Sequence, residues 1–157
     1  MTAKTKPSAK LQTILLAGLL AGTLDAIAAC IWASKIKPEM IFRYIASGVF
    51  GKRAFTGGFG MVMWGLFFHY LIAVSFTAVL FLMYPSFLRL LKNKYVVVVA
   101  FAAITWVITN LVIVPLSQIG WKPIHLQGIC IGFGILIVTI GLPVTLIADW
   151  FYSRLLK

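Results

Sequence analysis

The chain has 157 residues, 62% of them hydrophobic and 11% charged, with a formal net charge of +11. A soluble domain carries roughly 25% charge, and one core could not bury this much apolar surface, so a water-soluble globular fold is excluded. The Lys and Arg residues gather at the ends of apolar runs, which marks them as topology signals and headgroup contacts, not as a nucleic-acid footprint.

Residues 1–10 are polar and basic, with Lys4, Lys6 and Lys10, and read as a disordered cytoplasmic tail. The first span covers 11–34, about 36 Å of helix against about 30 Å of hydrocarbon. Ile27-Ala28-Ala29-Cys30 resembles a lipoprotein cleavage box, but the apolar run continues past it to Trp32 and Asp25 interrupts it. A retained membrane helix is therefore expected, not a cleaved signal. In the long connection that follows, Met40, Ile41, Tyr44, Ile45 and Val49 recur at helical spacing after Pro38 and Glu39. This predicts a short amphipathic helix over 38–50 lying in the interface, not a fifth span. Gly48, Gly51, Gly57 and Gly58 supply flexible backbone around it. The Gly51–Gly58 stretch lacks the spacing of a phosphate-binding loop.

The second span covers 59–84 and is closed by Pro85; the third covers 95–118; the fourth covers 126–152, with Pro143 expected to kink it. Residues 153–157 form a second cytoplasmic tail. The predicted fold is an all-α integral membrane four-helix bundle, a single domain over 11–152. Eight Lys and Arg (Lys4, Lys6, Lys10, Arg89, Lys92, Lys94, Arg154, Lys157) fall on one side, and six (Lys35, Lys37, Arg43, Lys52, Arg53, Lys122) on the other. The bias places both termini in the cytoplasm. Trp32 and Trp121 at one set of ends, and Tyr84, Tyr95, Trp150 and Tyr152 at the other, fit interfacial belts.

Polar residues inside the spans are the leads to function. Asp25, His69 and Asn110 lie roughly 14, 15 and 12 Å inside the outer ends of spans one, two and three. An unpaired ionisable group at such depth costs at least about 2.5 kcal/mol. The three are therefore expected to meet in one buried polar cluster, with Thr105 and Thr109 nearby. The cluster reads either as a proton-transfer or ligand site, or as a structural hydrogen-bond network.

Gly18-x-x-x-Gly22 and Gly128-x-x-x-Gly132 each put two glycines on one helix face, for packing inside the bundle or for a dimer seam. Lys35, Lys37, Arg43, Lys52 and Arg53 form a basic outer segment suited to anionic headgroups, or to a port above the polar cluster. Asp149 is expected to pair with Arg154 or with a basic inner loop. Cys30 and Cys130 read as two buried apolar thiols, or as a disulfide if spans one and four adjoin, and two cysteines are too few for a disulfide scaffold or a four-Cys zinc site. His69 and His125 sit at different depths, which argues against a bis-histidine haem, and Asp25, Glu39 and Asp149 are too scattered for a zinc site. Ser75 is two turns from His69, too far for a nucleophile–base pair. No metal or cofactor is expected.

The runs YIASGVFG at Tyr44–Gly51, AFTGG at Ala54–Gly58, GLFFHY at Gly65–Tyr70, NLVIVPLS at Asn110–Ser117 and AGTLDAIAA at Ala21–Ala29 resemble a group of small bacterial inner-membrane proteins of uncharacterised function, which are distantly similar to the YagU-like membrane proteins. The resemblance spans nearly the whole chain and implies a bacterial inner membrane and a four-helix unit, without a substrate or a catalytic residue. Three functional readings stand. The first is a non-enzymatic carrier, proton or solute pathway, or accessory subunit built on Asp25, His69 and Asn110. The second is a membrane-embedded enzyme or anionic-lipid-binding protein with His69 as acid or base; the third is a structural scaffold. The absence of paired carboxylates and of a nucleophile–base set weighs against an enzyme, and no inverted repeat or twin broken helices point to an ordinary secondary transporter. Expected partners are membrane lipids, anionic ones included, and a second copy or another membrane protein; nucleic acid is not expected.

Overall fold

The computed structural model describes residues 7–123 and 125–155, and among them there are five helices and no strand. α1 is Pro7–Trp32, α2 is Pro38–Phe50 and α3 is Gly58–Leu91, with a 3₁₀ turn, Gly51–Phe55, between α2 and α3. α4 is Lys94–Leu116. α5 comprises Leu126–Leu136, a π turn at Ile137–Gly141, and Leu142–Leu155. α1, α3, α4 and α5 are each long and apolar enough to cross a membrane. The fold is the all-α four-helix bundle expected from composition, with α2 as the additional short helix.

Side-chain register gives the topology. Gly18 faces Val74 and Gly22 faces Tyr70 and Ala73, so α1 and α3 are antiparallel. Gly132 lies by Trp106 and Gly141 by Val98, so α4 and α5 are antiparallel as well. Thr139 reaches Asp25 while Lys10 sits over the Tyr152 ring, which sets α5 antiparallel to α1. The rods therefore alternate up and down. The packed core fills the half of the bundle nearest the termini, around Leu80, Phe81, Tyr84, Val97, Phe101 and Val144. Large apolar side chains such as Leu16, Phe67 and Val138 face outward, as lipid-facing positions do.

Lys92 and Asn93 alone join α3 to α4. Lys92 adopts a left-handed φ of 54°, its N–H bonds the Leu88 carbonyl at 2.9 Å, and the Asn93 side chain accepts from the Tyr95 N–H at 2.8 Å. These are the C-terminal and N-terminal closures that helix ends require.

Pro85 does not end α3, as its residue type predicts; the helix continues to Leu91 with Pro85 inside. The added turn carries Phe87 against Phe101, ring centroids 5.2 Å apart, and packing of this kind keeps a proline-containing membrane helix intact. Pro115 and Pro143 act differently. Each follows a π turn by two residues, Thr109–Ile113 in α4 and Ile137–Gly141 in α5. A proline lacks an N–H and its ring presses on the carbonyl four residues back. The preceding turn widens, so that the Val114 N–H bonds Thr109 O and the Leu142 N–H bonds Ile137 O. Two adjacent spans are thus locally interrupted, where the sequence showed no such pair.

α2 has the predicted bounds. Its Phe42 meets Gly65 and His69, and its Phe50 meets Trp64 and Phe68. Both ends therefore touch one short stretch of α3, so α2 crosses that helix instead of running along it. Gly65 permits the crossing, because a Cβ there would collide with the Phe42 carbonyl. At its other flank the Gln118 N–H donates to Gly48 O at 2.9 Å, and the Gln118 side-chain amide donates to Val49 O. The tail expected at residues 1–10 is helical from Pro7 onward. Its residues 1–6, with Lys4 and Lys6, lie outside the described residues, as does Lys157.

Candidate functional site

Asp25 and His69 sit half-buried at the upper margin of the core. The Thr139 hydroxyl is 3.0 Å from Asp25 Oδ1 and 2.9 Å from the Ile135 carbonyl. His69 Nε2 donates to the Gly22 carbonyl at 2.8 Å. A carbonyl only accepts, so Nε2 carries the hydrogen and Nδ1 of a neutral ring is left as the acceptor. Gly22 lies three residues before Asp25, on the same face of α1. Three spans are thereby tied at one level: α1 through Gly22 and Asp25, α3 through His69, and α5 through Thr139.

Local sequence produces this geometry. Gly18 and Gly22 let α1 approach α3 so closely that a Cβ on Gly22 would stand 3.0 Å from Ala73 Cβ and 3.1 Å from Tyr70 Cδ1. That approach brings His69 onto a helix carbonyl, and it seats the Tyr70 hydroxyl 2.8 Å from Thr23 Oγ1. Because the Thr23 hydroxyl already donates to Leu19 O at 2.8 Å, Tyr70 is the donor to Thr23. Thr139 lies in the π turn that Pro143 imposes on α5.

The Thr139 hydroxyl has one hydrogen and two acceptors in reach. With Asp25 ionised, the hydrogen goes to the carboxylate. With Asp25 protonated, the carboxyl O–H can donate to Oγ1 and free the hydroxyl to bond Ile135 O. A proton on Asp25 would thus reverse the α1–α5 hydrogen bond and turn the Thr139 hydroxyl back onto its own helix.

The expected single cluster of Asp25, His69, Asn110, Thr105 and Thr109 is not what the structure contains. Asp25 and His69 make no hydrogen bond to each other; each is satisfied separately. Asn110 bonds the Trp106 carbonyl of its own helix at 3.0 Å and faces the α4–α5 seam beside Lys122 and His125. Thr105 is buried with its hydroxyl unpartnered. Thr109 starts a π turn and borders the groove toward Phe68 and Ile72. Depth counted from helix ends ignored the phase of α4, which turns Asn110 away from α1. Thr139, which the sequence reading missed, stands 13 residues inside the fourth span; its mid-span depth was the available signal.

The remaining predicted residues are distributed as follows. Lys35, Lys37, Lys52 and Arg53 are exposed, whereas half-buried Arg43 turns inward and donates to Phe55 O at 2.8 Å. Gly18 and Gly22 form the internal α1–α3 seam, Gly132 packs on Trp106, and Gly128 faces open space. Cys30 and Cys130 are free thiols, but not the buried pair expected: Cys30 is half-buried and Cys130 is exposed. Asp149 pairs with Lys94, at the basic connection between α3 and α4, at 3.2 Å and accepts from the Tyr84 hydroxyl at 2.7 Å. Among the described residues no three His, Cys, Asp or Glu side chains converge.

Fold and site define an all-helical protein with four segments of membrane-crossing length and a polar tie among three of them. Comparison with known protein families, curated proteins and solved structures found no match.

Proposed function

We propose that this protein is a non-enzymatic proton pathway of a bacterial inner membrane, with both termini in the cytoplasm. The observation that carries the reading is the Thr139 hydroxyl shared between Asp25 and the Ile135 carbonyl within the π turn of α5. Ionisable groups within spans mark proton and solute pathways by default, and π turns recur at functional sites. His69 stands one turn of α1 away from Asp25, anchored at Gly22, with Nδ1 of the neutral ring left as an acceptor. In this reading, protonation of Asp25 shifts the donor pattern at Thr139 and with it the geometry of α5.

The test is proton flux into proteoliposomes carrying a pH-sensitive dye, driven by a potassium diffusion potential. Wild-type protein is expected to conduct, and Asp25→Asn and His69→Gln are expected to lower the rate at least tenfold while melting within a few degrees of wild type. Flux from correctly folded Asp25→Asn equal to wild type would leave the tie with a purely structural role, which is the scaffold reading.

A further inference from the structure

At the α2 end of the bundle, away from Asp25, a cavity of about 410 Å³ opens between α4 and α5. Lys122, His125 and Asn110 line it, with Tyr44 and Trp106 as its aromatic walls and no acidic residue among its lining. Lys122 is held in place, its Nζ 4.2 Å from the Tyr44 ring centroid, yet it has no carboxylate partner among the described residues. An ammonium over an aromatic face keeps N–H donors to offer. Asn110 uses one amide N–H on Trp106 O and has a second to give. His125 precedes α5 without capping it through its side chain, and Gly128 puts no Cβ in front of the first turn. The group that fits this donor set is a phosphate anion.

The cavity is not isolated. It shares Tyr44, Thr109 and Val114 with a second cavity of about 270 Å³, which in turn shares Ile72 and Ile113 with a third of about 440 Å³ between α3 and α4. The second and third are lined mostly by apolar side chains, with Tyr44, Thr109, Ser117 and Ser75 among them, from Phe68 down to Leu80 on α3. That distance is about 18 Å of helix, close to the roughly 15 Å depth of one leaflet's hydrocarbon. A cationic, donor-rich mouth thus leads into an apolar slot one acyl chain long.

We propose that this composite groove is a binding site for a phospholipid of net negative charge, its headgroup phosphate at Lys122, His125 and Asn110, where no carboxylate stands to balance a headgroup cation, and one chain in the α3–α4 slot. The site is independent of the Asp25 reading and stands or falls separately. Native mass spectrometry of the full chain in detergent, titrated with phosphatidylglycerol, phosphatidylcholine of the same chains, or soluble glycerol phosphate, tests it. The expected result is retention of phosphatidylglycerol at least tenfold over phosphatidylcholine, with no glycerol phosphate adduct at equal concentration. The preference should shrink to within twofold in Lys122→Gln/His125→Gln and persist in Lys35→Gln/Lys37→Gln. Equal retention of the two lipids, glycerol phosphate held as well as the lipid, or an unchanged preference in the Lys122/His125 variant would each overturn the proposal. If that variant does not fold, a phosphatidylglycerol with a photoreactive headgroup decides on wild-type protein. Labelling within residues 121–129 supports the site, and labelling elsewhere refutes it.

Discussion

Thr139 and Thr145 are both buried hydroxyls on α5, yet they differ in what they hold. Thr139 donates toward Asp25, whereas Thr145 Oγ1 has no partner, like those of Thr77 and Thr105. Removing a hydroxyl costs most when it strands a polar partner and little when nothing depends on it. Thr139→Val is therefore expected to lower unfolding stability by about 1 kcal/mol. Thr145→Val should stay within about 0.5 kcal/mol of wild type or gain stability, since it replaces an unpaired hydroxyl with a methyl of similar shape. Denaturation in mixed micelles, followed by circular dichroism, compares the two. Asp25 and His69 were legible in the sequence because charge inside an apolar run is rare. Their actual partners were not, because one partner is a backbone carbonyl and the other is an ordinary threonine placed by a π turn. Asn110 misled for the opposite reason: its depth matched while its helical phase did not.

At the scale of elements, the four rods and α2 could be read from hydropathy and period, since both are properties of consecutive residues. Helix interruption could not. Pro85, Pro115 and Pro143 are one residue type with two outcomes: α3 passes through its proline, while α4 and α5 widen ahead of theirs. The seat of α2 was equally hidden, because it depends on Gly65 meeting the backbone of Phe42 from a distant segment. Gly65→Ala is expected to cost about 1–3 kcal/mol by overpacking and to lift α2 from α3, parting Phe50 from Trp64. Gly128→Ala, with nothing within 4 Å of the new methyl, is expected to leave stability unchanged or slightly raised. Limited proteolysis between α1 and α3, alongside melting curves, separates the two variants.

Across the whole molecule, the end near the termini is closed by Tyr84 of α3, Lys94 of α4 and Asp149 of α5. The Lys94–Asp149 pair is about a third exposed on each side, so solvent screens it, and Lys94→Gln should cost less than about 1 kcal/mol and less still at high salt. Asp149→Asn keeps an acceptor for the Tyr84 hydroxyl and should behave alike. Asp149→Leu leaves the hydroxyl of Tyr84, itself only 1% exposed, without its acceptor, and should cost about 1–3 kcal/mol more. Unfolding midpoints of the three variants at low and high ionic strength check the ranking. The two-residue link at Lys92 and Asn93 also bears on biogenesis. With so little slack, neither α3 nor α4 can reverse its direction alone, so the insertion machinery must accept them as a single hairpin. Arg89, Lys92 and Lys94 at its tip then act as one anchor, and neutralising all three would invert both rods together or neither.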